Sequence, residues 1–175
     1  MKKNLFITGT PNTGKTTLIK EVCLPWLDDI GGFYTQELRE KGERLGFILK
    51  TFSGEEIVFA KKGFKSKYRV GKYGVDIKAL EKVGVKAMED ALNDKKVIVI
   101  DEIGLMEISS DKFRAVLVQC LNSPKKVLAT IRFRAQPFTD EIKKMAETEV
   151  MYLSRENYLE VKDKIRKWLE KALSS

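Results

Sequence analysis

The sequence predicts an α/β fold of three layers, in which helices cover both faces of a largely parallel sheet that an inserted antiparallel meander widens. Apolar strand-like runs alternate with helix-like segments over most of the chain, which is typical of a parallel sheet covered by helices. Between residues 31 and 60, β-rich runs are instead joined by short turn-like connections. Short connections indicate antiparallel neighbours, because a parallel pair needs a long crossover.

The first part of the chain supplies one strand, one helix and the meander. Residues 3–8 form a short apolar run that predicts a buried strand, and a helix is expected from Lys15 until Pro25 interrupts it near Leu24. Residues 61–74 are expected to form a basic loop punctuated by glycines. The strands of the meander are expected at residues 31–38, 44–52 and 56–60.

The rest of the chain alternates helices with strands. Asp76 is expected to cap a helix over residues 76–93, and the nearly continuous apolar run at 95–101 predicts a central strand buried on both faces. Ser154 is expected to cap the last helix. We expect residues 1–175 to form a single domain. The remaining elements are expected at about 110–121 (helix), 126–131 (strand), 137–147 (helix), 150–154 (strand) and 155–172 (helix).

Composition excludes several classes of site. The 175 residues include no histidine, which removes Ser–His and Cys–His catalysis and any histidine metal site. Cys23 and Cys120 lie far apart in helix-like segments and are expected to be core thiols. The net charge of +8 favours anionic partners. No apolar stretch is long enough to span a membrane or act as a secretory signal, so we expect a soluble, cytoplasmic protein.

The stretch GTPNTGKTT at residues 9–17 matches the phosphate-binding pattern G-x-x-x-x-G-K-[ST]. Its glycines allow backbone N–H groups to approach an anion at a helix N-terminus, and its lysine adds a positive charge at the outer phosphates. The hydroxyl of Thr16 is suited to bind Mg²⁺. The predicted nucleotide-binding residues here are Gly9, Thr10, Pro11, Asn12, Thr13, Gly14, Lys15, Thr16 and Thr17.

A second motif, VIVIDEIG, places two carboxylates at the end of the predicted central strand. Asp101 is the expected second ligand of the metal, and Glu102 is the expected general base that orients and deprotonates water. Glu107 is a weaker candidate base. Reading DEIG as the D-x-x-G signature of a switch GTPase predicts a Lys-x-Asp triplet downstream, and the chain contains none.

Three further candidates follow the strand at residues 126–131. Thr130 is suited to a polar contact near the terminal phosphate, and Arg132 or Arg134 to stabilising charge on the transferring phosphate. The basic loop, with six Lys/Arg between Lys61 and Lys72 and no acid, is open to three interpretations. It is a solvated loop, a lid over a bound nucleotide, or a nucleic-acid surface.

Ordered motifs across residues 4–131 resemble a known family, the small P-loop nucleoside-triphosphatases of thermophilic archaea and bacteria, which have a cancer-related relative in humans. The motifs are FITGTPNTGKTTLI, GGFYTQELRE followed by RLGFILKTFSG, YRVGKYGVD, VIVIDEIGLMEI and VLATI. The resemblance implies a RecA-like P-loop fold and slow, Mg²⁺-dependent hydrolysis of nucleoside triphosphates, among them ATP and GTP, with broad base tolerance. It also implies that Glu102 activates water, and it adds Arg69 as a candidate nucleotide-binding residue.

Two departures from the family pattern bear on the site. Asn12 and Thr13 stand where members commonly carry Gly-Val, at variable positions of the general motif. Leu105 stands where members commonly carry a lysine. If that lysine stabilises charge, this chain either lacks the contribution or substitutes another residue for it, with Arg132 and Arg134 as the candidates.

Two other functions use the same residues. A nucleotide or nucleoside kinase would use the same loop and metal carboxylate, but would bind a phosphate acceptor in place of the attacking water. A nucleic-acid-binding module would use nucleoside triphosphate as a clamp or motor, and its binding would fall steeply with salt.

Overall fold

A computed structural model of the chain describes residues 1–174. Within these residues the strands form one mixed sheet, and helices pack on both of its faces. The strands are β1 (Asn4–Thr8), β2 (Ile30–Glu40), β3 (Glu43–Thr51), β4 (Glu56–Lys62), β5 (Arg69–Val70), β6 (Tyr73–Val75), β7 (Val97–Ile103), β8 (Lys126–Ile131) and β9 (Thr148–Tyr152).

The helices follow the alternation that the sequence predicts. A π-helical segment, Leu80–Val85, joins two of them into one continuous helical stretch, and short 3₁₀ turns occupy Leu24–Trp26 and Glu107–Ser109. Within residues 1–174, no helix is both long and apolar enough to cross a membrane. The α-helices are α1 (Lys15–Cys23), α2 (Ile77–Ala79), α3 (Lys86–Asp94), α4 (Asp111–Asn122), α5 (Pro137–Lys143) and α6 (Tyr158–Leu173).

The sheet has a parallel half and an antiparallel half. The strand order is β5-β6-β4-β3-β2-β7-β8-β1-β9. Strands β2, β7, β8, β1 and β9 pair in parallel, whereas β3, β4, β6 and β5 extend the sheet by antiparallel pairing. Strand β2 belongs to both halves, because it pairs in parallel with β7 and antiparallel with β3.

Side chains alternate between two separate cores on the two faces of the sheet. In β1, Leu5 and Ile7 pack with α1 and α6, whereas Phe6 packs with α3 and α4 on the other face. Because successive residues of a strand point to opposite faces, a fully apolar strand feeds both cores. The predicted three-layer α/β fold with an inserted meander is therefore confirmed.

Several local predictions need correction. The last helix begins at Tyr158 and not at residue 155, so its N-cap is Asn157, whose side chain accepts a hydrogen bond from the amide of Ser154. The predicted helix at 137–147 ends at Lys143, and the strand predicted at 150–154 lies at Thr148–Tyr152.

The sequence predicts a basic loop over residues 61–74, and this prediction also needs correction. Strand β4 runs on to Lys62, and β5 and β6 form a hairpin whose turn contains Gly71, with φ of 56°. A two-residue turn beginning with glycine is a known hairpin signal, and the sequence RVGKYGV contains it.

Close backbone packing joins β2 to β7 at Gly32. This residue has φ of 109°, and a Cβ built on it would lie 2.0 Å from the carbonyl oxygen of Val99 in β7. Gly54 has a similar φ of 102°, but a Cβ there would meet nothing within 4 Å. A side chain at either glycine would strain the backbone, but only a side chain at Gly32 would also overlap with a neighbouring strand.

We expect Gly32→Ala to destabilise the fold much more than Gly54→Ala. Forcing an L-residue into the left-handed region costs about 1–2 kcal/mol, and both variants carry that cost. Gly32→Ala also overpacks β2 against β7, which adds roughly 1–3 kcal/mol. Chemical denaturation of both variants and the unmodified chain measures the free energies of unfolding. Equal losses in the two variants would contradict the close approach at Gly32.

Candidate active site

The loop between β1 and α1 forms a concavity around the ammonium group of Lys15. Its Nζ donates hydrogen bonds to the carbonyl oxygens of Gly9 (2.9 Å) and Thr10 (3.1 Å), so the charge lies inside the loop. Gly14 is the N-cap of α1, with φ of 90°, and no side chain caps the helix. The N–H groups of the first turn therefore have no intrahelical partner and can bind an anion.

The two unusual loop residues fit this conformation. Asn12 adopts φ of 66°, and asparagine is one of the few non-glycine residues that tolerate the left-handed region. The hydroxyl of Thr13 donates to the carbonyl oxygen of Thr10 at 3.0 Å and ties the loop together. The departure from Gly-Val thus keeps a glycine-like backbone at Asn12. Pro11 and Thr17 are exposed, whereas Thr16 is half-buried.

Asp101 lies in β7, two strands away from β1 in the sheet, and is 1% exposed. Its Oδ1 accepts a hydrogen bond of 2.5 Å from the hydroxyl of Thr130 in β8, which is fully buried. Its Oδ2 has no partner within normal hydrogen-bond geometry. Burial raises the pKa of Asp101, and the nearby Thr16 hydroxyl, Thr35 amide and Lys15 charge act against that rise.

These residues meet the requirements of a Mg²⁺ site. Mg²⁺ binds oxygen ligands and usually keeps waters and substrate phosphates in its coordination sphere, with one or two protein ligands. Asp101 offers a buried carboxylate oxygen that lacks a partner, and Thr16 offers a hydroxyl beside it. No three Asp, Glu, His or Cys residues among 1–174 are close enough to form a metal cage of their own.

Glu102 is half-buried and lies where the pairing of β7 with β8 is interrupted, between Ile100 and Ile103. Such irregularities redirect a side chain and are common beside active sites. Loss of water around the carboxylate raises the pKa of Glu102, and the charge of Asp101 raises it further. The positive charges of Lys15 and Arg132 act against this rise.

Glu107 is buried inside the turn that follows β7. It is 4% exposed, and its Oε1 accepts a hydrogen bond of 3.1 Å from the amide of Gly104. Burial and the charge of Glu102 raise the pKa of Glu107 well above its ordinary value, which favours the neutral acid. Its enclosure in the turn makes Glu107 a weaker candidate base than Glu102, and its hydrogen bond with the Gly104 amide holds the turn beside Glu102.

The two candidate arginines differ in their surroundings. Arg132 is half-buried, its amide donates to the carbonyl oxygen of Ile103, and its Nε donates to the carbonyl oxygen of Arg134 at 3.0 Å. Arg134 is exposed. Leu105, where a lysine is common in the family pattern, is 41% exposed on the neighbouring turn. Of the two arginines, only Arg132 acts on the pKa of Glu102.

Arg69 and the basic segment lie away from this cluster. Arg69 is in β5, at the opposite edge of the sheet from β1 and seven strand spacings away, roughly 34 Å at about 4.8 Å per spacing. Its guanidinium donates to the carbonyl oxygens of Phe64 and Lys72. The segment lies at this far edge of the sheet and not over the phosphate loop, so the structure gives no support to the lid, one of the three interpretations that the sequence leaves open.

Two neighbours of the site were missed by sequence reasoning. The ring of Tyr158 packs against Gly14, where an added Cβ would lie 3.2 Å from it, and its hydroxyl donates to Glu21 in α1 at 3.2 Å. The amide of Thr35 in β2 lowers the pKa of Asp101. No local pattern could identify either residue, because each approaches the site from an element distant in the chain.

Comparisons with known proteins agree with this geometry. A family profile described as NTPase matches residues 4–166. The nucleoside-triphosphatase THEP1 of Thermotoga petrophila is 47% identical over 154 residues, which cover 87% of this chain and 85% of that protein.

Solved structures show the same fold. The crystal structure of THEP1 from the hyperthermophile Aquifex aeolicus superposes with a TM-score of 0.87 at 36% identity, covering 95% of this chain and 99% of that one. The solution structure of a human cancer-related nucleoside triphosphatase gives a TM-score of 0.82 at 30% identity, with coverage of 97% and 98%. The chain has the P-loop fold of these proteins and belongs to their family, the nucleoside-triphosphatases.

Proposed function

We propose that the protein hydrolyses nucleoside 5′-triphosphates, ATP and GTP among them, to nucleoside diphosphates and phosphate in a Mg²⁺-dependent reaction. The observation that carries this proposal is the position of Glu102. Its carboxylate follows the buried Asp101 at the carboxyl edge of the parallel sheet, where the charge of Lys15 acts on it. The nucleoside-triphosphatases that the chain resembles support the same reaction.

Phosphate binding falls to the loop and the start of α1. The ammonium of Lys15 is held inside the loop by the carbonyl oxygens of Gly9 and Thr10, where it can exchange those bonds for phosphate oxygens. Charge-assisted hydrogen bonds of this kind are shorter and stronger than neutral ones. The uncapped first turn of α1 adds N–H donors.

Asp101 and Thr16 would hold Mg²⁺ through oxygen atoms. The ion, when bound, neutralises negative charge on the outer phosphates. Asp101 is suited to this role because its Oδ2 is buried without a hydrogen-bond partner, whereas Thr130 fixes its Oδ1. The carboxylate is therefore held in one orientation before any ligand binds.

Glu102 orients a water molecule and accepts its proton as the water oxygen attacks the γ-phosphorus. The bond to the bridging oxygen breaks, and the nucleoside diphosphate leaves. A base works best when its pKa lies near the working pH. Burial and Asp101 move the pKa of Glu102 upward in that direction, whereas Lys15 and Arg132 limit the rise. Arg132 is also placed to stabilise charge on the transferring phosphate.

Glu102→Gln should retain nucleotide binding and lose hydrolysis. The amide keeps the size of the side chain but cannot accept a proton, so we expect kcat to fall about 10²-fold to 10⁴-fold. Phosphate release in single turnovers measures the step, and calorimetry measures binding. Glu141→Gln, an exposed glutamate of α5, is the matched control. Near-normal single-turnover hydrolysis by Glu102→Gln would contradict the assigned role.

Lys15→Ala should weaken the binding of nucleoside triphosphate by roughly 10-fold to 100-fold, since one charge-assisted hydrogen bond contributes about 1.5–3 kcal/mol. The exposed Lys20, also in α1, provides the control Lys20→Ala. The same phosphate-release assay, run with nucleosides and nucleoside monophosphates present, tests the kinase alternative. An acceptor that outcompetes water by a wide margin would overturn hydrolysis as the function.

Glu107→Gln should leave activity and stability close to those of the unmodified chain, because a neutral acid and an amide both accept from the Gly104 amide. Glu107→Ala leaves that amide unpaired in a buried turn, which should cost about 1–3 kcal/mol of unfolding free energy and lower kcat. Thermal and chemical denaturation, with the hydrolysis assay, compare the two variants. Loss of activity in Glu107→Gln equal to that in Glu102→Gln would show that Glu107 transfers the proton.

A further inference from the structure

Two aromatic side chains contact each other on the surface beside the phosphate loop. Phe133 is 49% exposed and Tyr152 is 46% exposed, and their ring centroids lie 5.5 Å apart at an interplanar angle of 62°. Neither residue belongs to the two hydrophobic cores. Folding therefore leaves much of both rings in water, and the proposed chemistry of hydrolysis does not use them.

The strand pairing places this aromatic pair over the end of β1. Tyr152 is the register partner of Thr8, the last residue of β1, and the next amide, that of Leu153, donates to the carbonyl oxygen of Thr8 at 2.7 Å. Phe133 follows the end of β8, which pairs with β1 on the other side. The two residues come from the strands on either side of β1, and their rings contact each other. The pair therefore lies across the end of β1, where the phosphate loop begins.

Hydrogen bonds hold the backbone beneath both rings. The carbonyl oxygen of Tyr152 accepts from Asn157 at 2.9 Å, and that of Arg132 accepts from Lys143 at 2.8 Å. A close approach also fixes the loop against β9, because a Cβ on Gly9 would lie 2.5 Å from the carbonyl oxygen of Leu153. Rings on a fixed backbone lose little conformational freedom when a flat ligand binds them.

We propose that Phe133 and Tyr152 form the surface on which the base of the nucleoside triphosphate stacks. The inference rests on the proposed function, because the phosphates of that same molecule occupy the neighbouring loop. Stacking on an aromatic ring accepts every base, since each base has a π-face. It predicts broad base tolerance with tighter binding of purines than of pyrimidines, because purines offer a larger face.

The test uses the full chain and compares ATP, CTP and inorganic tripolyphosphate, each with Mg²⁺, by titration calorimetry. The variants are Phe133→Ala, Tyr152→Ala and the pair together. Tyr68→Ala is the control, because Tyr68 is 37% exposed beside β5 at the opposite edge of the sheet. Both target residues are largely exposed, so the variants should unfold at the temperature of the unmodified chain.

We expect each single variant to weaken ATP binding by between about 5-fold and 100-fold, the range for loss of one base–aromatic stack. Tripolyphosphate, which has no base, should bind every variant as it binds the unmodified chain. Tyr152→Phe should restore ATP binding because the ring remains. Tyr68→Ala should change nothing.

Unchanged ATP binding in the double variant would overturn the proposal. An equal loss of ATP and tripolyphosphate binding would also overturn it, since the rings would then shape the phosphate loop. A changed oligomeric state with unchanged ATP affinity would identify a protein interface instead. These readouts do not depend on hydrolysis. If the unmodified chain binds ATP through the two rings but releases no phosphate, the proposed function fails and the stacking surface stands.

Discussion

The site depends on a carboxylate that is buried before its cation arrives. Asp101 has almost no exposure, and the protein satisfies only one of its oxygens with a full hydrogen bond, from Thr130. Burying an unpaired charge is costly, so such a group takes up a proton or binds a cation. The Thr16 hydroxyl and the Lys15 ammonium lower the pKa of Asp101 and so offset part of that cost, and the proposed Mg²⁺ would offset more of it. The carboxylate thus connects three elements, because β7 supplies Asp101, β8 supplies the Thr130 hydroxyl, and the phosphate loop supplies the Lys15 charge.

Without histidine, proton transfer is left to carboxylates, lysines, tyrosines or water. The structure separates three carboxylates near the phosphate loop by their environment. Asp101 is buried and accepts a hydrogen bond from Thr130, Glu102 is half-buried, and Glu107 is enclosed in a turn against the Gly104 amide. Carboxyl groups that differ so much in surroundings take different roles. The first is suited to bind metal, the second to accept a proton, and the third to remain neutral and hold the turn.

Sequence reasoning succeeded where the signal was local. The phosphate motif, the apolar strand before Asp101 and the cap of Asp76 each depend on neighbours within a few residues, and the fold class followed from their order. Sequence reasoning failed where a contact joins residues that are far apart in the chain. The parallel contact of β2 with β7 joins residues far apart in the chain, as does the contact of Phe133 with Tyr152. The distance of Arg69 from the phosphate loop is likewise invisible in the sequence, because only the strand order places β5 at the far edge.

The two proposals assign the phosphates and the base of a nucleoside triphosphate to two different kinds of binding surface. In the proposed function the phosphates bind one continuous loop of neighbouring residues, whose backbone has positive φ at Asn12 and Gly14. The base meets side chains from two strand ends that approach each other only because β8 and β9 both pair with β1. Such a surface can change in sequence without disturbing the phosphate loop. Under the proposed stacking, substitutions at Phe133 and Tyr152 would change base preference without altering the residues assigned to hydrolysis, since the reacting γ-phosphorus lies at the opposite end of the substrate from the base.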